Sequence, residues 1–137
     1  MVFSVFLGEG LAYGCTCMPP RSVEEAYGKS FAVLIGRVTK IRRPFLDRLG
    51  IKKTYGHRVE FQIKKRWKGP KSKTITATTR LSGEACGYPF EVNKDYLVYL
   101  VHEPEDIQTG ICTGTKDVAS AEAEIEQLDR LRASRAQ

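Results

Sequence analysis

"FAVLIGRVTKI", residues 31–41, is a run of β-branched and apolar residues that reads as a buried strand. Gly36 interrupts it. A glycine inside a strand contributes no side chain to packing and marks a bulge or a sharp bend. Downstream, "RVEFQIKKRWKG" (58–69) alternates, with Val59, Phe61 and Ile63 on one face, and reads as a half-buried strand closed by Trp67, Gly69 and Pro70. "KTITATTRL" (73–81) alternates through Ile75, Ala77 and Thr79. "DYLVYLVHE" (95–103), preceded by the turn "VNKD", is a strongly apolar strand, and a short last strand is expected around Ile111 and Cys112. Between these, 42–57 is polar and basic, broken by Pro44 and Gly50, and reads as a long loop or hairpin tip.

Helices flank the strands. In "SVEEAYGKS" (22–30), Ser22 is an N-cap, with Glu25 three residues on completing a capping box, and Gly28 is expected to end the helix. From Asp117 onward an amphipathic helix is predicted, with Val118, Ala121, Ile125, Leu128 and Leu131 on one face. Its acids come early and its arginines late, which suits the helix dipole. The expectation is an all-β fold with flanking helices: a small closed five-stranded barrel of the oligonucleotide/oligosaccharide-binding (OB) type, a short N-terminal helix and a C-terminal amphipathic helix. An open sheet with a packed helix is the rival architecture.

At 137 residues the chain has the length of one domain. Its 42% hydrophobic and 28% charged residues argue against disorder, and no apolar run approaches the ~20 residues of a membrane span. The net charge of +6 makes acidic partners worth weighing. Residues 1–14, "MVFSVFLGEGLAYG", read as the remnant of an export signal, with "AYG" as a cleavage site, although Glu9 interrupts the apolar stretch. Residues 15–137 would then be the mature domain, secreted or extracytoplasmic.

That domain holds all four cysteines: Cys15, Cys17, Cys86 and Cys112. In an extended segment Cys15 and Cys17 point to opposite sides, so each is better placed to reach a distant cysteine than its neighbour. Two disulfides fit this pattern and an oxidising compartment. A structural zinc site fits poorly, because Cys-x-Cys is tighter than the usual ligand spacing.

Catalytic chemistry has little support. His57 and His102 stand in unrelated contexts, no serine sits in a nucleophile elbow, and Glu24, Glu25, Glu122 and Glu124 read as helix-surface carboxylates. No enzyme activity and no cofactor are expected. A basic cluster (Arg42, Arg43, Lys52, Lys53, Lys64, Lys65, Arg66 and Lys68) with Phe45, Tyr55 and Trp67 interspersed could track a polyanion or stack nucleic-acid bases.

"CTCMPP", "VLIGRVTKI", "EFQIKKRWKG", "EACGY" and "ICTGT", in that order, resemble the tissue inhibitors of metalloproteinases and the wider netrin-like domain family. The resemblance spans Cys15 to about Cys112, and the Cys-Thr-Cys-x-Pro-Pro opening is its most specific part. It implies an OB-fold barrel pinned by disulfides Cys15–Cys86 and Cys17–Cys112. Loops of ~70 and ~95 residues closed this way would each be worth roughly 4 kcal/mol of chain entropy. It also implies a mechanism. The α-amine and carbonyl oxygen of Cys15 would chelate a protease's catalytic zinc in trans, displacing the water at its open position. Thr16 would enter the pocket beyond the scissile bond, Cys17, Met18 and Pro19 would line the cleft like substrate, and Ser82, Gly83, Glu84 and Ala85 would form a second edge. The chain departs from the animal inhibitors in lacking a third disulfide in this domain and a second cysteine-rich subdomain.

Three functions follow as expectations. The first is a secreted, monomeric, netrin-like domain that inhibits zinc metalloproteases through Cys15 and its neighbours. The second is an extracellular adhesion or polyanion-binding module, using Arg42, Arg43, Lys52 and Lys53 on a sulfated polyanion. The third is an OB-fold nucleic-acid binder, which paired cysteines and an export signal disfavour.

Overall fold

The computed structural model describes residues 20–42, 56–79, 87–103 and 106–135. In chain order these form helix α1 (Val23–Lys29) and strands β1 (Ala32–Arg42), β2 (His57–Lys68), β3 (Thr74–Thr79), β4 (Asp95–Glu103) and β5 (Asp106–Gln108). A 3-10 turn (Ile111–Thr113), strand β6 (Lys116–Asp117), a second 3-10 turn (Val118–Ser120) and helix α2 (Glu122–Arg135) follow. β1 pairs antiparallel with both β2 and β4, while β3 pairs antiparallel with β2 and parallel with β5. β5 pairs antiparallel with β4, so the path β1–β2–β3–β5–β4–β1 closes into a five-stranded mixed barrel. β6 is an extra strand on β4. The barrel expected from the strand pattern is the one observed, and the open sheet is excluded.

Hydrogen-bond partners starting at Arg42 run through Arg58, Thr78, Gln108 and Val101. They return to β1 near Ala32, the neighbourhood paired with Leu100. That offset of about ten residues is the stagger that tilted strands need to close a barrel.

Two hydrophobic cores explain the strand patterns. Leu34, Val38, Val59, Phe61, Ile75, Tyr96, Val98 and Leu100 fill the barrel, with Phe90 among them. Val33, Leu97 and Tyr99 point the other way and are covered by α1 and α2, together with Ala26, Tyr27, Trp67, Ala121 and Leu128. β1 and β4 are therefore apolar on both faces and read as unbroken hydrophobic runs, whereas β2 and β3 alternate because their outer faces meet water.

Gly36 sits at a register shift of the β1–β2 pair, where Lys64 is the extra residue on β2. A Cβ at Gly36 would lie 3.0 Å from Leu34 Cδ1 and from Phe61 Cβ. The missing Cβ leaves room for the Leu34 and Phe61 side chains in a full core. A second bulge follows at Thr39, between the Val38–Phe61 and Lys40–Glu60 pairs. It inverts the facing of the strand: Val38 is inside, Ile41 packs on the same core, and Lys40 and Arg42 stand outside.

Three boundaries differ from expectation. Gly28 does not end α1. The helix continues to Lys29, where Ser30 caps it and its hydroxyl donates to the Ala26 carbonyl at 2.7 Å. The N-cap is as expected, with Ser22 Oγ accepting from the Glu25 N–H at 3.0 Å, while the Glu25 carboxylate accepts from the N–H of Arg21. The short last barrel strand is Asp106–Gln108, and the Ile111–Cys112 region is a 3-10 turn instead. α2 starts at Glu122 rather than Asp117, because 116–120 are spent on β6 and the second 3-10 turn. Ala121 and Leu128 are buried against the barrel, with Ile125 and Leu131 packed beside them. Among the described residues no helix is long and apolar enough to cross a membrane.

A polar clasp also docks α2. Asp129 Oδ1 accepts from Trp67 Nε1 at 2.9 Å and from Lys65 Nζ at 2.9 Å, and Arg132 donates to the Arg66 carbonyl at 2.8 Å. Lys65 first, and Trp67 second, hold the Asp129 carboxyl below its usual range. A depressed carboxyl stabilises the fold above the ordinary Asp range of about 3.9, and that contribution disappears as pH falls through the folded value. Because the pair is half exposed, solvent screening keeps the effect modest. Melts recorded from neutral to acid pH should show Asp129→Asn with a lower melting temperature at pH 7 and a flatter acid limb. Parallel acid limbs would mean that the carboxylate is not linked to folding.

Candidate functional site

The turn carrying Cys112 is built from three threonines. The Thr109 and Thr115 hydroxyl oxygens lie 2.7 Å apart, Thr113 and Thr115 3.1 Å, and Thr109 and Thr113 3.4 Å. Thr115 Oγ1 also accepts from the N–H of Tyr99 at 3.0 Å, and the Thr113 hydroxyl donates to the Gly110 carbonyl at 2.9 Å. The Thr109 N–H donates to the Thr78 carbonyl at 3.0 Å, which ties the turn to the end of β3. Gly114 closes it with φ +102°, where a Cβ would sit 3.2 Å from the Tyr99 ring. Held in this way, Cys112 is disulfide-bonded. The other three cysteines lie outside the described residues.

Thr115 is the centre of this arrangement. Thr115→Val keeps the shape but removes the oxygen that satisfies the buried Tyr99 N–H, and an orphaned buried donor costs about 1–3 kcal/mol. Urea unfolding should show that loss for Thr115→Val and a smaller one for the half-buried Thr113→Val. Equal, negligible losses would remove the threonine cluster as the support of the turn.

Two segments meet the turn. Pro20, Arg21, Ser22 and Val23, the first described residues of the chain, line a cleft of about 340 Å³ with Ile111, Gly114 and Thr115. Ile111 is 44% exposed beside it. Through Thr109 the turn joins β3, whose last residue, Thr79, accepts from the N–H of Tyr88 at 2.7 Å. Lys116 and Glu124 complete the cleft wall. One Glu124 oxygen accepts from the hydroxyl of the fully buried Tyr99, and the other accepts from Lys116 Nζ at 2.5 Å. Burial, and then this bond to Glu124, push the Tyr99 phenol far above its usual range, so it stays a donor. Glu124, expected on the helix surface, is instead an anchor between α2 and the barrel.

The inhibitory-ridge residues read from the sequence, Cys15, Thr16, Cys17, Met18, Pro19, Ser82, Gly83, Glu84 and Ala85, lie outside the described residues, as do Arg43, Lys52 and Lys53. Arg42 is described and stands outside on β1. The basic cluster divides. Lys65 is committed to Asp129, and Lys68 Nζ donates to the Tyr27 carbonyl at 2.9 Å while lying 5.0 Å over the Tyr27 ring. Trp67 is 5% exposed under α2. As a base-stacking platform Trp67 is ruled out, because its ring faces the second core. Among the described residues no group of three His, Cys, Asp or Glu gathers to hold a metal.

The threonine cluster escaped the sequence reading. Its signal is the "TGICTGT" segment, in which threonines bracket Cys112 at both ends, but the short apolar pair Ile111–Cys112 reads equally as a strand. The chain matches no protein-family model and no curated protein.

Proposed function

We propose that this chain is an extracytoplasmic, netrin-like domain, similar to the tissue inhibitors of metalloproteinases, that binds and inhibits zinc metalloproteases through a ridge headed by Cys15. One observation carries the reading: a disulfide-bonded Cys112 sits on a braced turn that shares a cleft with Pro20 and is tied to the end of β3. Cys17 is three residues before Pro20, and three residues span at most about 10 Å. A bond to the Cys112 turn is therefore within reach of the N-terminal segment. β3, tied to the same turn through the Thr109–Thr78 bond, ends at Thr79. The closed barrel is the scaffold that the resemblance requires.

In this reading the fold contributes rigidity. A segment held in its bound shape loses little conformational freedom on docking, so more of the contact energy appears as affinity. The chemistry would belong to Cys15, whose α-amine and carbonyl oxygen occupy the open zinc position, with Thr16 in the adjoining pocket. Chain 15–137, oxidised, assayed against several zinc metalloproteases, tests the proposal. Inhibition in the stoichiometric range, together with Cys15–Cys86 and Cys17–Cys112 in a non-reducing peptide map, is expected. Failure to inhibit any of them, or a Cys15–Cys17 bond, would refute it.

A further inference from the structure

We propose that the outer face of β1, β2 and β3 carries a binding site for sulfate groups of a glycan chain, centred on Arg42 and Arg58. The two arginines are direct cross-strand partners. Like charges placed opposite each other on a sheet repel and destabilise it. Neither arginine's side chain has an ion-pair or hydrogen-bond partner among the described residues, and the same is true of the Lys40 side chain. The Thr39 bulge turns Lys40 and Arg42 outward onto the same face as Arg58. With Glu60 and Thr76 they line an open groove of about 350 Å³.

An oxyanion over the Arg42–Arg58 pair would accept charge-assisted bonds from both guanidinium groups and relieve their repulsion. The Thr76 hydroxyl offers a neutral donor on the neighbouring strand. Glu60, opposite Lys40, opposes an anion directly above it and confines the favourable position to the arginine end. Among the described residues, the groove is lined by charged and hydroxyl side chains. The disulfide at Cys112 favours an oxidising compartment, where sulfated glycans are the abundant polyanions. That compartment selects a sulfated glycan over a nucleic acid. The site is independent of the ridge reading and stands or falls separately from it.

The probe is a heparin-derived octasaccharide titrated into the full, oxidised chain at several salt concentrations. Arg42→Gln and Arg58→Gln should each weaken binding several-fold and lower the log–log salt slope by about one. Glu60→Gln should strengthen it. Lys71→Gln, which removes the same charge in the turn at the far end of β2, should change neither quantity. The Arg42→Gln/Arg58→Gln double variant should melt at or above the wild-type temperature, since a repelling pair is gone. Undiminished binding by that double variant, or equal losses for Lys71→Gln and Arg58→Gln, would overturn the site. So would equal binding of an oligo-dT of matched charge with the same dependence on Arg42 and Arg58, which would assign the face to nucleic-acid phosphates.

Discussion

Phe61→Ala is expected to lose about 3–5 kcal/mol of stability, the range for emptying a buried phenylalanine site. Against a typical total of about 5–15 kcal/mol, that is a large share of the whole. Phe61 is completely buried, opposite Val38 on β1 and Ile75 on β3, so the cavity would open where three strands meet. Its ring stands edge-on to Phe90, with centroids 5.1 Å apart, and Phe90 in turn contacts Tyr96 at 4.9 Å and Tyr88 at 4.8 Å. Such pairs add about 0.5–1.5 kcal/mol beyond area burial, and the chain of rings cannot collapse into the gap without breaking its own geometry. Urea unfolding of Phe61→Ala beside Phe31→Ala makes the contrast. Phe31 is 37% exposed, and its truncation should change little. A loss below about 1 kcal/mol for Phe61→Ala would mean that the barrel interior repacks around the deletion.

The strands were legible because burial writes itself into period-two patterns. Val59, Phe61 and Ile63 all face the barrel, and Gly36 marked a true irregularity in pairing. Features that depend on a partner far along the chain were not legible. Nothing near Trp67 tells that Asp129, sixty-two residues later, will take its indole N–H, so an aromatic among lysines looked like a stacking surface. Glu124 has a surface residue's neighbours in sequence, and only the meeting of α2 with Tyr99 and Lys116 makes it an anchor. The Ile111–Cys112 pair misled for a related reason: the hydroxyls of Thr113 and Thr115, not a strand ladder, meet backbone groups around the turn. Of the candidate site, the cysteine spacing could be read directly. The brace that supports Cys112 could not.

The largest functional effect should come from a single added residue. If the ridge works by zinc chelation, a chain beginning at Cys15 should inhibit, and the same chain with one alanine before Cys15 should be nearly inactive. The reason is chemical. The zinc needs a free, neutral α-amine, whereas the nitrogen of a peptide bond is a poor ligand, and any preceding residue also fills the cleft. The full chain, with residues 1–14 in place, should be inert for the same two reasons. A free α-amine has a reference pKa of about 7.7–8.0, so inhibition by the cleaved form should weaken as pH falls below that range, because the protonated amine cannot bind metal. Thr16→Gly offers a different readout: it empties the adjoining pocket and should weaken inhibition while leaving this pH dependence in place. Neither change touches Cys112 or the threonines around it, so thermal melts of all forms should coincide and exclude misfolding. Equal inhibition by the extended and cleaved chains would refute the chelate, and a pH-independent inhibition constant would show that the α-amine is not the group that meets the zinc.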